Sequence, residues 1–429
     1  MNVTRWASAL ALGTMVTACV SRSEPVDAIA ADYVKAALAL GQHDPDFVDA
    51  YYGPQEWRAE VEADAPSVVE IRGRAEAARS ALSVLPERPS DDDGQRRRFL
   101  DRHLAALIAR AEMVEGRALN FDQESELLYD AVAPTHDEEY FAALTAGLDS
   151  ALPGAGPLAD RLARFRQDFV VPSARVDTVF RAAIRECRVR TIRWLALPDD
   201  ESFTVEYVTD KSWSGYNWYQ GGHASLIQVN TDLPIHIDRA VDLACHEGYP
   251  GHHVLNVLLE SHLVEQRGWM EYSIYPLFSP VSLIAEGSAN FGVAMAFPGD
   301  ERTVFERDIL YPLAGLDPRR AVAYREVMDL VGRLSYAGNE AARRYLDGAI
   351  DADGAAAWLE RYALMTPERA RQRVRFFDQY RSYVINYNLG RDLVEEYVRR
   401  NSAGGGEERR WEVFGALLRM PLLPSQLVP

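Results

Sequence analysis

Hydrophobic positions recur at helical spacing over most of this chain. Between about residues 20 and 195 they fall into one amphipathic stripe after another. The stripe from Asp27 to Leu40 carries Ile29, Tyr33, Ala36, Ala37 and Leu40 on one face. The stretch from Asp44-Pro45-Asp46 to Tyr51-Tyr52-Gly53-Pro54 breaks it. Glu70 to Leu85 and Gln95 to Val114 continue the pattern, separated by a polar loop over Pro86 to Gly94 whose acidic run charges the start of the next helix. Pro153-Gly154-Ala155-Gly156-Pro157 marks a further loop. No repeat of fixed period runs through the chain.

Near residue 200 the period changes from helical to two. Ser202–Val208 and Ala224–Asn230 alternate and are rich in β-branched and aromatic residues, which predicts two short strands. Between them Trp213 to His223 reads as an aromatic, glycine-rich loop. It is either a hairpin connection packed by its own rings or the wall of a cleft, with the following strand offering an open edge to an extended peptide. After residue 234 the pattern is helical again, over Ile235–Glu247, His252–Arg267, Val281–Ala296, Arg319–Ser335, Asp351–Leu364, Pro367–Arg400 with a break, and Trp411–Arg419. Asp317-Pro318 and Thr366-Pro367 make good helix starts, a capping residue before proline at the first helical position. The expected fold is mainly α, multi-helical, with a small β-sheet.

With 429 residues, about half of them hydrophobic, the chain can bury a large core. The expected division is a leader over 1–18, an N-terminal helical part over 19–200 and a catalytic helical part over 201–429. A net charge of −18 argues against nucleic acid as a partner, since phosphate binding needs clustered Lys and Arg. At the N-terminus Arg5, the uncharged apolar run Trp6–Val16 and the small residues before Cys19 look like a bacterial lipoprotein signal. That predicts cleavage before Cys19 and a lipid on its thiol as the membrane tether. A plain secretory signal with an incidental Cys19 is the alternative. Val20 rather than Asp after the cysteine favours the outer membrane, facing the periplasm. In such a compartment Cys187 and Cys245 are free to form a disulfide if they lie close enough.

The densest chemistry lies at His246-Glu247-Gly248-Tyr249-Pro250-Gly251-His252-His253. An adjacent His-Glu pair opens the HExxH helix of zinc hydrolases, in which two histidines bind metal and the glutamate is the general base. Here the position one turn after His246 is Pro250. Proline cannot donate to the His246 carbonyl, so the helix must stop, bulge or kink, and Gly251 gives the backbone room to do so. In an unbroken helix His252 would point about 120° away from His246, and His253 would sit about 10 Å along the axis. A Pro-Gly break re-aims one of the two. His252 is taken as the ligand and His253 as its neighbour in the cleft. A third ligand is expected on another helix, and Glu286, an acid among small and apolar residues in Leu283–Phe291, is the candidate.

The pattern from His246 to His253, followed by Glu286-Gly287, resembles a bacterial family known as domain of unknown function 885, marked by HExxPGHH and a downstream Glu-Gly segment. That family is mostly helical and similar to gluzincin metallopeptidases such as carboxypeptidase Taq and the thimet-type oligopeptidases. The resemblance therefore implies a gluzincin-like architecture with the small sheet beside a deep active-site cleft. Where its members commonly carry Trp after Glu-Gly, this chain has Ser288. The resemblance also places the Tyr383–Gly390 segment at the site and makes Tyr387 a donor to a developing oxyanion. His223 is a second candidate for substrate or oxyanion binding.

The resulting expectation is one zinc ion on His246, His252 and Glu286, with Glu247 as base and a peptide or small amide as substrate. A zinc hydrolase of another amide or ester, or a non-catalytic helical binding lipoprotein, are the rivals.

Overall fold

Helix after helix forms where the apolar stripes predict one, and local capping chemistry sets where each begins. The computed structural model describes residues 25–86, 92–211, 213–420 and 422–428. The expected leader over 1–18, Cys19 and most of the acidic loop between 86 and 94 lie outside the described residues. The first helices are α1 (Pro25–His43), α2 (Gln55–Asp64), α3 (Val68–Ser83), α4 (Asp92–Val114), α5 (Phe121–Tyr129), α6 (Glu138–Ala151), α7 (Leu158–Gln167) and α8 (Val176–Ile192). After the sheet come α9 (Asp238–Leu243), α10 (His252–Leu259), α11 (Pro280–Ala296), α12 (Glu301–Phe305), α13 (Tyr311–Ala314), α14 (Ala321–Gly332), α15 (Ala337–Leu346) and α16 (Ala352–Tyr362). The chain ends through α17 (Pro367–Tyr380), α18 (Ile385–Asn401), α19 (Gly406–Arg419) and α20 (Pro424–Leu427). Ser67 caps α3 by accepting from the Glu70 amide, while the Glu70 carboxylate takes the Ser67 amide at 2.8 Å. Asp317 and Thr366 cap as expected, accepting from the amides of Arg319 and Arg369. The break expected inside Pro367–Arg400 falls at Arg381–Val384, a short 3₁₀ turn between α17 and α18.

The helices bury two apolar cores. One gathers Tyr33, Leu100, Phe121, Phe141, Trp358 and Phe377; the other gathers Phe180, Val241, Leu258, Phe291, Tyr311 and Trp411. Each draws side chains from both sides of residue 200. Helices α11 and α18 run along the seam between them. Leu283 and Leu389 face the first core, and Phe291 and Val398 the second. They cross at glycine, where a Cβ on Gly287 would lie 2.4 Å from the carbonyl of Gly390. Backbone meets backbone there because neither residue carries a side chain.

Two small sheets complete the fold. One has the order β2 (Ser202–Val208), β4 (Ala224–Asn230), β3 (Gly215–Gly221), with β2 parallel and β3 antiparallel to β4. This corrects the expected aromatic loop over Trp213 to His223. Most of it is a strand whose Asn217 and Tyr219 point inward while Trp218 is exposed. It also corrects the expected open edge on the following strand, since β4 is the central one and its backbone is used on both sides. The other sheet pairs β1 (Val48–Tyr51) with β5 (Ile274–Pro276), two strands missed in the stretches between expected helices. The register between them slips at Asp49. No helix among the described residues is long and apolar enough to cross a membrane.

Candidate metal centre

Helix α9 continues into one wider turn at Ala244–Gly248, closed by a bond from the Tyr249 amide to the Ala244 carbonyl at 3.2 Å. The Tyr249–Pro250 peptide is cis, and the Gly251 amide then reaches back to the Cys245 carbonyl at 2.9 Å. A Cβ on Gly251 would fall 1.8 Å from the His246 carbonyl oxygen. Glycine is therefore required for close approach, with φ at an ordinary −79°, rather than for a left-handed backbone. This bulge delivers what a continuous helix could not. The Nε2 atoms of His246 and His252 face each other at 3.1 Å, their rings nearly perpendicular.

Glu286, on α11, completes the group. Its Oε2 lies 3.3 Å from His246 Nε2 and 3.8 Å from His252 Nε2. The three form the one cluster with metal-ligand geometry among the described residues. A tetrahedral zinc ion bound at about 2.0–2.1 Å places its ligand atoms roughly 3.4 Å apart, so these separations fit one. Glu286 is buried, its Oε1 accepts from Tyr383 Oη at 2.9 Å, and Oε2 accepts no hydrogen bond. A buried carboxylate oxygen left without a donor is costly unless a cation meets it. Burial opposes charge on Glu286, yet His246 and His252 hold its carboxyl far below the usual range. Burial likewise opposes charge on His252, and the Glu286 contact with the charges of Glu286, Glu247 and Asp49 lifts its pKa to about 9.

Around this cluster lies a cavity of about 790 Å3, counting its open mouth. Glu247 lines it, with Oε1 4.0 Å from His246 Nε2, and the Asn217 side chain grips the Glu247 carbonyl at 2.7 Å. Gly215 makes room for that carboxylate, since a Cβ there would sit 3.0 Å from Oε1. Tyr387 lines the cavity too, while its hydroxyl makes no hydrogen bond among the described residues. Burial pushes the Tyr387 hydroxyl well above the ordinary tyrosine value, so it stays protonated. Asp49 enters from the slip in β1, and burial pushes its carboxyl up to about 7, against the pull of His252 and with help from Glu286 and Glu247.

His253 turns the other way and is fully buried. Its Nε2 is 3.0 Å from Glu201 and its Nδ1 2.9 Å from Ser225 Oγ. Glu201 also accepts from Tyr249 Oη at 2.5 Å and from Arg188 at 2.7 Å, so one carboxylate grips both sides of the Pro-Gly break. Ser225, His253 and Glu201 stand in the order of a nucleophile triad, yet Ser225 is sealed from solvent and does not line the metal cavity. His223 is not at the cavity either. It sits at the β3–β4 turn with Nδ1 3.0 Å from Asp200, which corrects its expected role in substrate binding. Cys187 and Cys245 are both buried and unbridged. Asp49, Glu201 and Tyr383 are the groups the sequence reading missed. Tyr383 alone carried a signal, lying one turn before Tyr387 in the segment already singled out.

The molecule so described is a mainly helical protein with a two-histidine, one-glutamate cluster in an aromatic cavity. No family model and no curated protein matches its sequence. Among solved structures, a protein from Colwellia psychrerythraea, provisionally named a lipoprotein, aligns over 85% of this chain with a TM-score of 0.54 and 12% identity. This chain spans 63% of that one. A provisionally named lipoprotein of unknown function from Shewanella oneidensis aligns with a TM-score of 0.45 and 12% identity, over 86% of this chain and 74% of that one. At 12% identity the likeness to the Colwellia protein is one of fold alone.

Proposed function

We propose that this chain is a lipid-anchored, zinc-dependent hydrolase of the cell envelope, a metallopeptidase acting on peptides or small amides. The observation that carries the reading is the unsatisfied, buried Glu286 Oε2 facing two imidazole nitrogens at 3.3 and 3.8 Å. The HExxPGHH resemblance supports the same reaction class. The apolar run before Cys19, together with the lipoprotein name given to a structure of similar fold, supports the tether, and Val20 after that cysteine supports an outer-membrane site facing the periplasm.

His246, His252 and Glu286 would hold one zinc ion, which when bound polarises a carbonyl and acidifies water. The chain's own groups supply the rest. Glu247 takes a proton from the attacking water and passes it to the leaving amine. Tyr387, kept protonated by burial, donates to the oxygen that gains charge. Tyr383 fixes the Glu286 carboxylate by its 2.9 Å hydrogen bond, so the free oxygen keeps its aim.

The test is metal analysis of protein purified without chelators, followed by a peptide screen of the zinc-loaded form. One equivalent of zinc and cleavage abolished in Glu247→Gln are expected. Less than about half an equivalent of any transition metal would overturn the reading, since a three-ligand site retains its ion.

A further inference from the structure

Arg373 belongs, with Arg166 and Arg419, to the half-buried arginines that no carboxylate meets among the described residues. Other sheltered guanidiniums are given acids. Arg96 meets Glu271 at 2.5 Å and Asp27 at 2.7 Å, and Arg302 meets Asp242 at 2.7 Å and Glu306 at 2.8 Å. Half-buried Arg373, on α17, has no ion pair and no hydrogen bond among the described residues. What surrounds it is aromatic. The guanidinium carbon lies 4.3 Å from the ring centroid of Phe376, 5.6 Å from Phe377 and 5.7 Å from Tyr387. Rings cover the faces of a guanidinium and leave its five N–H donors, which lie in its plane, without acceptors.

Two of those rings, Phe376 and Tyr387, are walls of the metal cavity. Tyr387 also packs on Tyr383 at 5.7 Å between ring centroids, and Tyr383 holds Glu286. Arg373 is thus joined to the metal cluster by a continuous aromatic wall. The cavity's own charged groups are mostly acids, Asp49, Glu247 and Glu286, so an anion entering it needs a cation of its own. A carboxylate matches the planar fork of Arg373 with two parallel hydrogen bonds. Trp213, Tyr216 and Tyr380 offer apolar surface for a side chain beside it.

We propose that Arg373 receives the free carboxylate of the substrate, so that the site takes chain ends and releases a C-terminal residue, with preference for an aromatic one. This rests on the hydrolase reading, and its test is built to fail separately. Calorimetry on the zinc-loaded protein compares N-acetyl-phenylalanine with N-acetyl-phenylalaninamide. The acid should bind at least tenfold tighter, and Arg373→Gln should erase that preference, since a charge-assisted bidentate pair carries roughly ten- to a hundredfold. Arg373→Lys should restore part of it, and zinc content should stay at the parent's level in both variants.

Cleavage of N-acetyl-phenylalanyl-phenylalanine and of its C-terminal amide is the second readout. The parent should prefer the acid through KM, and Arg373→Gln should bring the two kcat/KM values together. Equal binding of acid and amide by the parent, or a preference that survives in Arg373→Gln, would overturn the proposal even if both peptides were cleaved. Binding that obeys Arg373 in a protein that cleaves neither peptide would sink the hydrolase reading and leave the carboxylate site standing.

Discussion

His252 and His253 are neighbours in sequence and opposites in environment. His253 uses both ring nitrogens on protein partners, Ser225 and Glu201, and Glu201 in turn is met by Tyr249 and Arg188. That cluster closes on itself. His252 points its Nε2 at another imidazole and at a carboxylate whose second oxygen has no donor. That cluster leaves an acceptor unfilled. The difference teaches how to tell scaffold from site among buried polar groups, because scaffold has its hydrogen bonds satisfied from within and a site leaves valences for a visitor.

The largest expected effect comes from breaking the open cluster. Glu286→Ala should weaken zinc binding on the order of a thousandfold, since roughly 10–16 kcal/mol shared among the ligands leaves about 4 kcal/mol for each. Competition with a chelating dye reads it, and a loss below tenfold would mean that the two clusters do not differ as described. Glu247→Gln should lower turnover by about 10²–10⁴-fold while zinc content holds, which steady-state rates and metal analysis check together. In the closed cluster the effects reverse. His253→Ala should cost about 3–5 kcal/mol of stability in a denaturant titration, because Glu201 loses a buried partner, yet weaken zinc by only about 10–100-fold.

A third buried histidine sharpens the comparison. His103 has one bond, to the Phe99 carbonyl at 2.8 Å, and burial pulls its pKa down to about 3. Its folded value lies below the unfolded one, so stability is full above pH about 6.5 and falls as the pH drops toward 3. The slope contributed is about 1.4 kcal/mol per pH unit. His103→Phe, which keeps the stacking on Phe99, should flatten that part of an acid titration.

Most helices were legible because an apolar stripe every three to four residues has one economical reading. The metal-ligand cluster was legible because His246 and His252 are close in sequence and Glu286 is an acid among small residues. Proline at position 250 even announced the bulge. The strands β1 and β5 were not legible, being four and three residues long and showing no alternation that periodicity could find. Asp49 was hidden with them. Glu201 was not legible either, since nothing local says that Tyr249, His253 and Arg188 converge on it. Arg373 sits in an ordinary charged helix, and only the aromatic contacts that join it to the cavity wall set it apart.

The crossing at Gly287 and Gly390 has a mechanical consequence. Two helices touching backbone to backbone have no side-chain cushion between them, so a displacement of one passes to the other undamped. Glu286 rides on one member at the crossing, Tyr387 rides about one turn from it on the other, and Tyr383 sits in the 3₁₀ turn that leads into that second helix. The Glu286 carboxylate and Tyr387 are therefore held in a fixed relation, and the bulge after α9 is held with them, since a Cβ on Gly292 of α11 would sit 3.0 Å from the Pro250 ring.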